Sequence, residues 1–165
     1  MNAGTRDGDT FSRLCSLTIV DNCGEVRVLG KDDFEPSYRC GNLPAGAIAV
    51  HASFELRPDS PKAIFDRFEA SLKSRNASQP VTERSVGCVF ANPEDGGPAA
   101  GQLIESAGCK LLRRGGISVS GKHANYFVND RNGTAAEFLE LMVVVQNQVA
   151  STHGVELRPE VQVWS

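Results

Sequence analysis

Apolar and polar residues alternate with a period of two along the first third of the chain and with a helical period afterwards. Leu17, Ile19 and Val20 sit in the run Leu14 to Val20, Asn22-Cys23-Gly24 turns the chain, and Val26 and Val28 alternate with polar neighbours. This pattern predicts a β-hairpin. Lys31 to Phe34 is a polar connection into a stretch over 34–46 rich in Pro, Gly, Ser and Asn, which carries Tyr38 and Arg39. Such composition predicts a loop, and an arginine within it reads first as a solvated charge. From Ile48 to Arg57 the alternation is clean. Ile48, Val50, Ala52, Phe54 and Leu56 take one side and Ala49, His51, Ser53, Glu55 and Arg57 the other. This predicts a half-buried strand with His51 on its outer face, stopped by Pro58.

Ser60-Pro61 suits a helix start, with Ile64, Phe65, Phe68 and Leu72 as its apolar stripe and a fade at Arg75-Asn76. A second helix is expected from about Ala99 to Ala107, with Gly108 as its stop. Leu111-Leu112 reads as a short strand and Arg113-Arg114-Gly115-Gly116 as a basic turn. The two arginines are surface charge or, beside exposed backbone N–H groups, an anion contact. Short strands follow at Ile117 to Ser120 and Tyr126 to Val128. Thr134 and Glu137 have capping-box spacing, and Phe138, Leu141, Met142, Val145 and Val149 share one face of the helix they open, which ends near Gly154. A last strand is expected from Val155 to Leu157, interrupted by Pro159 and resumed in the alternation of Val161 to Trp164. The pattern predicts an α+β protein with a boundary near Pro58 to Ser60. The opening Asn2-Ala3-Gly4 and Gly8 read as a loose tail.

Composition narrows the class. A chain of 165 residues with 41% hydrophobic and 22% charged residues can bury a core. Its net charge of −3 gives no basic footprint for nucleic acid. No stretch approaches the roughly 20 apolar residues needed to span a bilayer, and the polar first residues contain no apolar signal core. A soluble, cytoplasmic protein is expected. The five cysteines, Cys15, Cys23, Cys40, Cys88 and Cys109, show neither paired close spacing nor a CxxC motif. They predict reduced, half-buried thiols and no metal site.

Ser85 to Pro93 is the stretch with chemical promise. Gly87 permits a dihedral closed to other residues, and Pro93 pushes Asn92 out of helical conformation, so Cys88 is held between two backbone constraints. Alone, this suits a site better than a core. A nucleophilic role for Cys88 lacks an evident base in the local sequence. His123, and Glu160 between Pro159 and an apolar run, are weaker candidates.

Taken in order, Asn2-Ala3-Gly4, Tyr38-Arg39, Gln79-Pro80, Gly87 to Pro93, Ala107 to Lys110, Gly115-Gly116, Ser120 to Asn125 and Pro159-Glu160-Val161 resemble the UDP-N-acetylenolpyruvoylglucosamine reductase (MurB) family. The resemblance implies residues 1–58 as a partial, strand-rich FAD-binding domain. It implies 59–165 as an α/β substrate-binding domain with a mainly antiparallel sheet. It also implies a reaction: NADPH reduces FAD, hydride passes to C3 of UDP-N-acetylglucosamine enolpyruvate, and C2 is protonated to give UDP-N-acetylmuramate for peptidoglycan. By position in the motifs, Arg39 would hold carboxylate or enolate charge. Cys88 would be the proton donor where relatives usually carry serine, and Glu160 would assist. Asn2, Ala3 and Gly4 would touch the cofactor, and Tyr38, Asn92, His123 and Asn125 the substrate. An unperturbed thiol, with a pKa near ~8.5, gives up a proton far more readily than an alcohol. Three departures stand out: Ala91 replaces the usual lysine, Gly41 replaces a serine after the Tyr-Arg pair, and the first glycine-rich flavin loops have no counterpart. The resemblance therefore implies an upstream flavin-binding chain as a partner. The alternative is a catalytically silent UDP-sugar-binding module.

Overall fold

In the computed structural model, which describes residues 2–5, 8–94 and 96–164, the chain falls into two units, Met1–Ser60 and Pro61–Ser165, each with its own core. The first unit starts with an anchor instead of a loose tail. Asn2 is buried with φ of 47°; its amide donates to Asp9 Oδ2 at 3.0 Å and to the Ser37 carbonyl at 3.3 Å, and its Oδ1 accepts from Phe11 N at 3.1 Å. Composition missed this because one buried amide, satisfied at both ends, orders a polar segment. Strand β1 (Gly4–Thr5) pairs antiparallel with β2 (Gly8–Asp9).

The predicted hairpin forms as β3 (Leu14–Val20) and β4 (Val26–Gly30), with β5 (Ile48–Phe54) antiparallel on the other side of β3. Asp21 holds the turn, its Oδ1 accepting from Cys23 N at 2.9 Å and Glu25 N at 3.0 Å, while Gly24 takes φ of 82°. Leu14, Leu17, Ile19 and Leu29 cover the inner face and pack with Phe11 and Phe34, whose rings meet edge-on at 5.2 Å. The outer face differs from expectation. Ile48, Val50, Phe54 and Leu56 are exposed, so β5 is not the half-buried strand its alternation predicts. A register shift between Thr18 and Ile19 leaves Val50 out of the pairing, and of the strand's apolar residues Ala52 packs on the core. Val26 and Val28 across the sheet are each 69% exposed.

The second unit begins with α1 (Pro61–Ser78), all of whose residues are exposed or half-buried, including the predicted stripe Ile64, Phe65, Phe68 and Leu72. Next come β6 (Ser85–Cys88), α2 (Ala100–Ser106), β7 (Arg113–Arg114), β8 (Ile117–Val119), β9 (Tyr126–Asn129) and α3 (Ala135–His153). The sheet is antiparallel in the order β6-β9-β8-β7, and α3 packs on β7, β8 and α2. Leu141, Val145 and Val149 of α3 are fully buried against Phe127, Ile104 and Val119. The capping box is as the spacing predicts: Glu137 N donates to Thr134 Oγ1 at 3.2 Å and Thr134 N to Glu137 Oε2 at 2.8 Å.

Two expected strands are displaced. Leu111 adopts φ of 64° in a turn, so the strand falls on Arg113–Arg114 instead. Arg113 there is bound by both carboxylate oxygens of Asp130, at 2.7 Å each, which gives this guanidinium an internal anion. The last strand does not form; a single bridge joins Pro159 to Phe90, and the segment around it is irregular. The cysteines are free, with Cys15, Cys23 and Cys40 exposed rather than half-buried, and burial pushes the Cys109 thiol pKa up.

Candidate active site

Gly87 sets the site's geometry. Its φ of +85° lies in the left-handed region, and nothing stands within 4 Å of where a Cβ would be, so the backbone angle rather than space requires glycine. The pairing of β6 with β9 shifts register between Ser85 and Cys88, and the irregularity sets Cys88 opposite Tyr126. Directly opposed residues share one face of a sheet, with Cβ atoms about 5 Å apart. Cys88 and Tyr126 are accordingly cross-strand neighbours, close enough for Cys88 to act on the Tyr126 pKa.

The chain beyond Cys88 is clamped from both sides. Val89 N donates to Asn125 O at 2.9 Å, Phe90 N to Asn125 Oδ1 at 2.9 Å, and Asn125 Nδ2 to Phe90 O at 2.7 Å. On the other flank Ala91 N donates to Arg158 O at 2.9 Å and Glu160 N to Val89 O at 2.8 Å. The bridge at Phe90–Pro159 thus sets Glu160 beside the thiol-bearing stretch. Asn92 Oδ1 accepts from Ala100 N at 2.9 Å, at the start of α2. Asn125 is buried, and its amide oxygen and nitrogen both hold Phe90, so this residue keeps the stretch in shape.

Charges converge on Tyr126. Burial raises its pKa most, Cys88 by charge and hydrogen bond and Glu160 by charge raise it further, and Arg75 from α1 opposes them. The His123 ring lies edge-on to Tyr126 at 4.8 Å, and its Nδ1 accepts from Asn125 N at 3.2 Å. The neutral ring then carries its proton on Nε2. Burial is the main cause of the lowered His123 pKa; Lys110 acts in the same direction, while a backbone hydrogen bond at His123 and the charge of Glu105 oppose it. Gly101 of α2 leaves room for the ring, since a Cβ there would stand 3.2 Å from His123 Cε1.

Tyr38 and Arg39 belong to the first unit. Ser37 and Cys40 exchange backbone hydrogen bonds of 3.0 and 3.1 Å across a two-residue turn, with Arg39 at φ of 56° and its guanidinium 4.8 Å from the Tyr38 ring centre. Tyr38 is exposed and Arg39 half-buried, and the pair unites a planar cation with an aromatic face. For a flavin dinucleotide, residues 2–4 fit in part. Ala3 is exposed and Gly4 has no side chain, whereas the Ala3 carbonyl accepts from Thr10 N and Thr10 Oγ1 at 2.9 Å each and the Asn2 amide is engaged internally. Among the described residues no group of three or more His, Cys, Asp or Glu could hold a metal, and no helix is long and apolar enough to cross a membrane.

Sequence reasoning did not find Tyr126 or Arg75. Tyr126 reads as one more apolar strand residue, and only the register across β6 and β9 reveals its partner.

The residues match known proteins. A family model described as "UDP-N-acetylenolpyruvoylglucosamine reductase, C-terminal domain" matches residues 79–164. UDP-N-acetylenolpyruvoylglucosamine reductase of Alkalilimnicola ehrlichii is 43% identical over 163 residues, covering 99% of this chain and 54% of the relative. The same-named protein of Moorella thermoacetica is 37% identical over 164 residues, with 99% and 54% covered. The crystal structure of UDP-N-acetylenolpyruvylglucosamine reductase (MurB) from Thermus caldophilus superposes with a TM-score of 0.86 at 31% identity, covering all of this chain and 58% of that one. The chain thus spans about half the length of the curated relatives it matches.

Proposed function

The chain belongs to the UDP-N-acetylenolpyruvoylglucosamine reductase family, and from that premise we propose that it is the substrate-handling part of a cytoplasmic flavoenzyme that reduces UDP-N-acetylglucosamine enolpyruvate to UDP-N-acetylmuramate in peptidoglycan synthesis. The observation that carries the reading is the grouping of Tyr126 and Glu160 around the clamped stretch that bears Cys88, shaped by the positive φ of Gly87. When bound, FAD recharged by NADPH supplies the hydride for C3 of the enolpyruvyl group. Main chain at Ala3 and Gly4 would hold part of that group. Arg39 offers a fork of N–H donors to the substrate carboxylate, on which negative charge grows as the enolate forms. Tyr38, Asn92, His123 and Asn125 complete the contacts, His123 through its Nε2–H and Asn125 by keeping Phe90 in place. Cys88 delivers the proton to C2 as a general acid, and Glu160 fixes its orientation.

The flavin side is completed by the region that corresponds to the part of the relatives that this chain does not match. In its favour, the first unit's sheet leaves Val26, Val28 and Ile48 exposed on one face. A contiguous apolar face of this kind marks an interaction surface.

One experiment separates this reading from a silent UDP-sugar-binding module. The chain is purified alone and together with the unmatched portion of the Alkalilimnicola ehrlichii relative, and flavin absorbance and substrate-driven NADPH oxidation are followed. The expected result is a yellow assembly that oxidises NADPH only when the enolpyruvyl substrate is present. An assembly that binds the UDP-sugar and never oxidises NADPH would leave the binding module as the answer.

A further inference from the structure

We propose that Tyr126 is a positioning residue for the Cys88 proton: its phenolic O–H donates to Cys88 Sγ, aims the S–H bond outward and stabilises the thiolate left after proton delivery. This rests on the reading of Cys88 as proton donor and deepens it. The geometry comes from the sheet. Cys88 and Tyr126 are cross-strand partners in the β6–β9 pairing, immediately after the register shift that the +85° φ of Gly87 makes possible. Tyr126 itself is held in place. Its backbone N donates to His123 O at 2.9 Å, its carbonyl accepts from Ser120 N at 2.8 Å, and the His123 ring packs edge-on against it. A hydroxyl delivered from so fixed a ring meets the sulfur at a set angle.

The charged and titratable groups around the pair come from each neighbouring element: Cys88 from β6, His123 from the turn before β9, Glu160 from the irregular carboxyl-terminal segment and Arg75 from α1. Burial, Cys88 and Glu160 together raise the Tyr126 pKa against the opposing effect of Arg75, so the phenol stays protonated where the thiol works. A phenol that keeps its proton is a donor, and the sulfur is its acceptor. The step balances simply. The S–H bond breaks, the C2–H bond forms, and the electron pair remains on sulfur as a thiolate. Tyr126 donates to it without losing its own proton, and solvent reprotonates the sulfur between turnovers. A hydrogen bond to the charged form lowers a thiol's pKa, which makes Cys88 a better acid than burial alone would allow.

The test needs no cofactor. Iodoacetamide alkylation of the Cys88 peptide, read by mass spectrometry across neutral to alkaline pH, reports the thiolate fraction in the 165-residue chain. Tyr126→Phe is expected to move the Cys88 midpoint up by about one pH unit, the size of one hydrogen bond to a charged group. Buried Cys109 reports folding, since its alkylation rises if the variant unfolds. Should Tyr126→Phe unfold, the contact is read from the other side. The chain has two tyrosines, so ultraviolet titration resolves Tyr126 from exposed Tyr38, and Cys88→Ala is expected to lower the Tyr126 midpoint. In the assembled reductase Tyr126→Phe is expected to lower kcat about tenfold at unchanged KM and to move the pH profile with the thiol midpoint. An unmoved Cys88 midpoint in folded Tyr126→Phe, or an unmoved Tyr126 midpoint in Cys88→Ala, overturns the proposal. If these midpoints move while Cys88→Ala turns over at the native rate, the contact stands and the proton-donor reading of Cys88 fails instead.

Discussion

Single residues fix the site through backbone geometry as much as through chemistry. Gly116 shows how tightly: a Cβ there would stand 2.3 Å from Gly133 N, backbone against backbone. Gly116→Ala is expected to cost about 3 kcal/mol in chemical denaturation, because main chain cannot step aside. For Cys88, serine keeps a hydroxyl in the same place, whereas alanine removes the proton. In an assembled enzyme Cys88→Ser is expected to keep substantial turnover and Cys88→Ala to slow flavin reoxidation by about 10²-fold or more in stopped flow. Equal rates in all three proteins would remove Cys88 from the mechanism. His123 has a pKa held below its ordinary 6.5, chiefly by burial. The folded state therefore favours the neutral ring, and this contribution is present above the unfolded value and lost as pH falls through the lower folded one. Thermal midpoints measured on either side of that window should fall less steeply in His123→Gln than in the native chain. The glycine and the thiol were legible in sequence because each is rare chemistry in an apolar run. Tyr126 was not, since its meaning depends on which residue lies across the sheet.

Among the elements, α3 was the most legible, because its cap and its apolar stripe agree. Thr134 and Glu137 satisfy each other's backbone N–H groups, and Gly154 ends the helix at φ of 68°. Thr134→Ala is expected to cost about 1 kcal/mol in urea denaturation, and Leu141→Ala, fully buried, about 3 kcal/mol. Hydrogen bonds from the Thr134 and then the Gly116 backbone hold the Glu137 pKa below its ordinary 4.5. Its stabilising effect is complete above that value and is lost as pH falls through the folded one. Glu137→Gln should therefore lower the unfolding midpoint at neutral pH and converge with the native chain in acid. The strand expected at Val155 to Leu157 failed for a physical reason. Pro159 lacks an N–H to donate to a ladder, and the segment clamps the site instead through Arg158 O, which accepts from Ala91 N, and Glu160 N, which donates to Val89 O.

For the molecule as a whole, the main features are two cores and two uncovered apolar surfaces, the α1 stripe and the first unit's outer sheet face. The second unit has a large buried cluster, from Val89 and Phe90 through α2 and α3 to Leu157, and the first unit a smaller one around Phe11 and Ile19. The first unit's outer sheet face carries apolar residues that alternation alone assigns to a core. This exposed face should bind a hydrophobic dye such as ANS, and addition of the flavin-side portion of the relatives that this chain does not match should suppress the signal. A signal unchanged in a yellow, active assembly would place that portion elsewhere.

The sequence by itself determined the α+β class, the first hairpin, the capped α3 and the family, because each depends on local period, punctuation residues or ordered short motifs. Tertiary structure decided which apolar residues are buried and which side chains meet. Alternation says that Ile48 and Val50 share a side with Ala52 but not whether anything covers it, and a register shift then breaks even that pattern. The same holds at the site: Gly87-Cys88 announces a constrained thiol, while the pairing of β6 with β9 and the clamp from residues 158–160 give it Tyr126 and Glu160 as neighbours. Burial and cross-strand contact are non-local, so one strand's sequence cannot contain them.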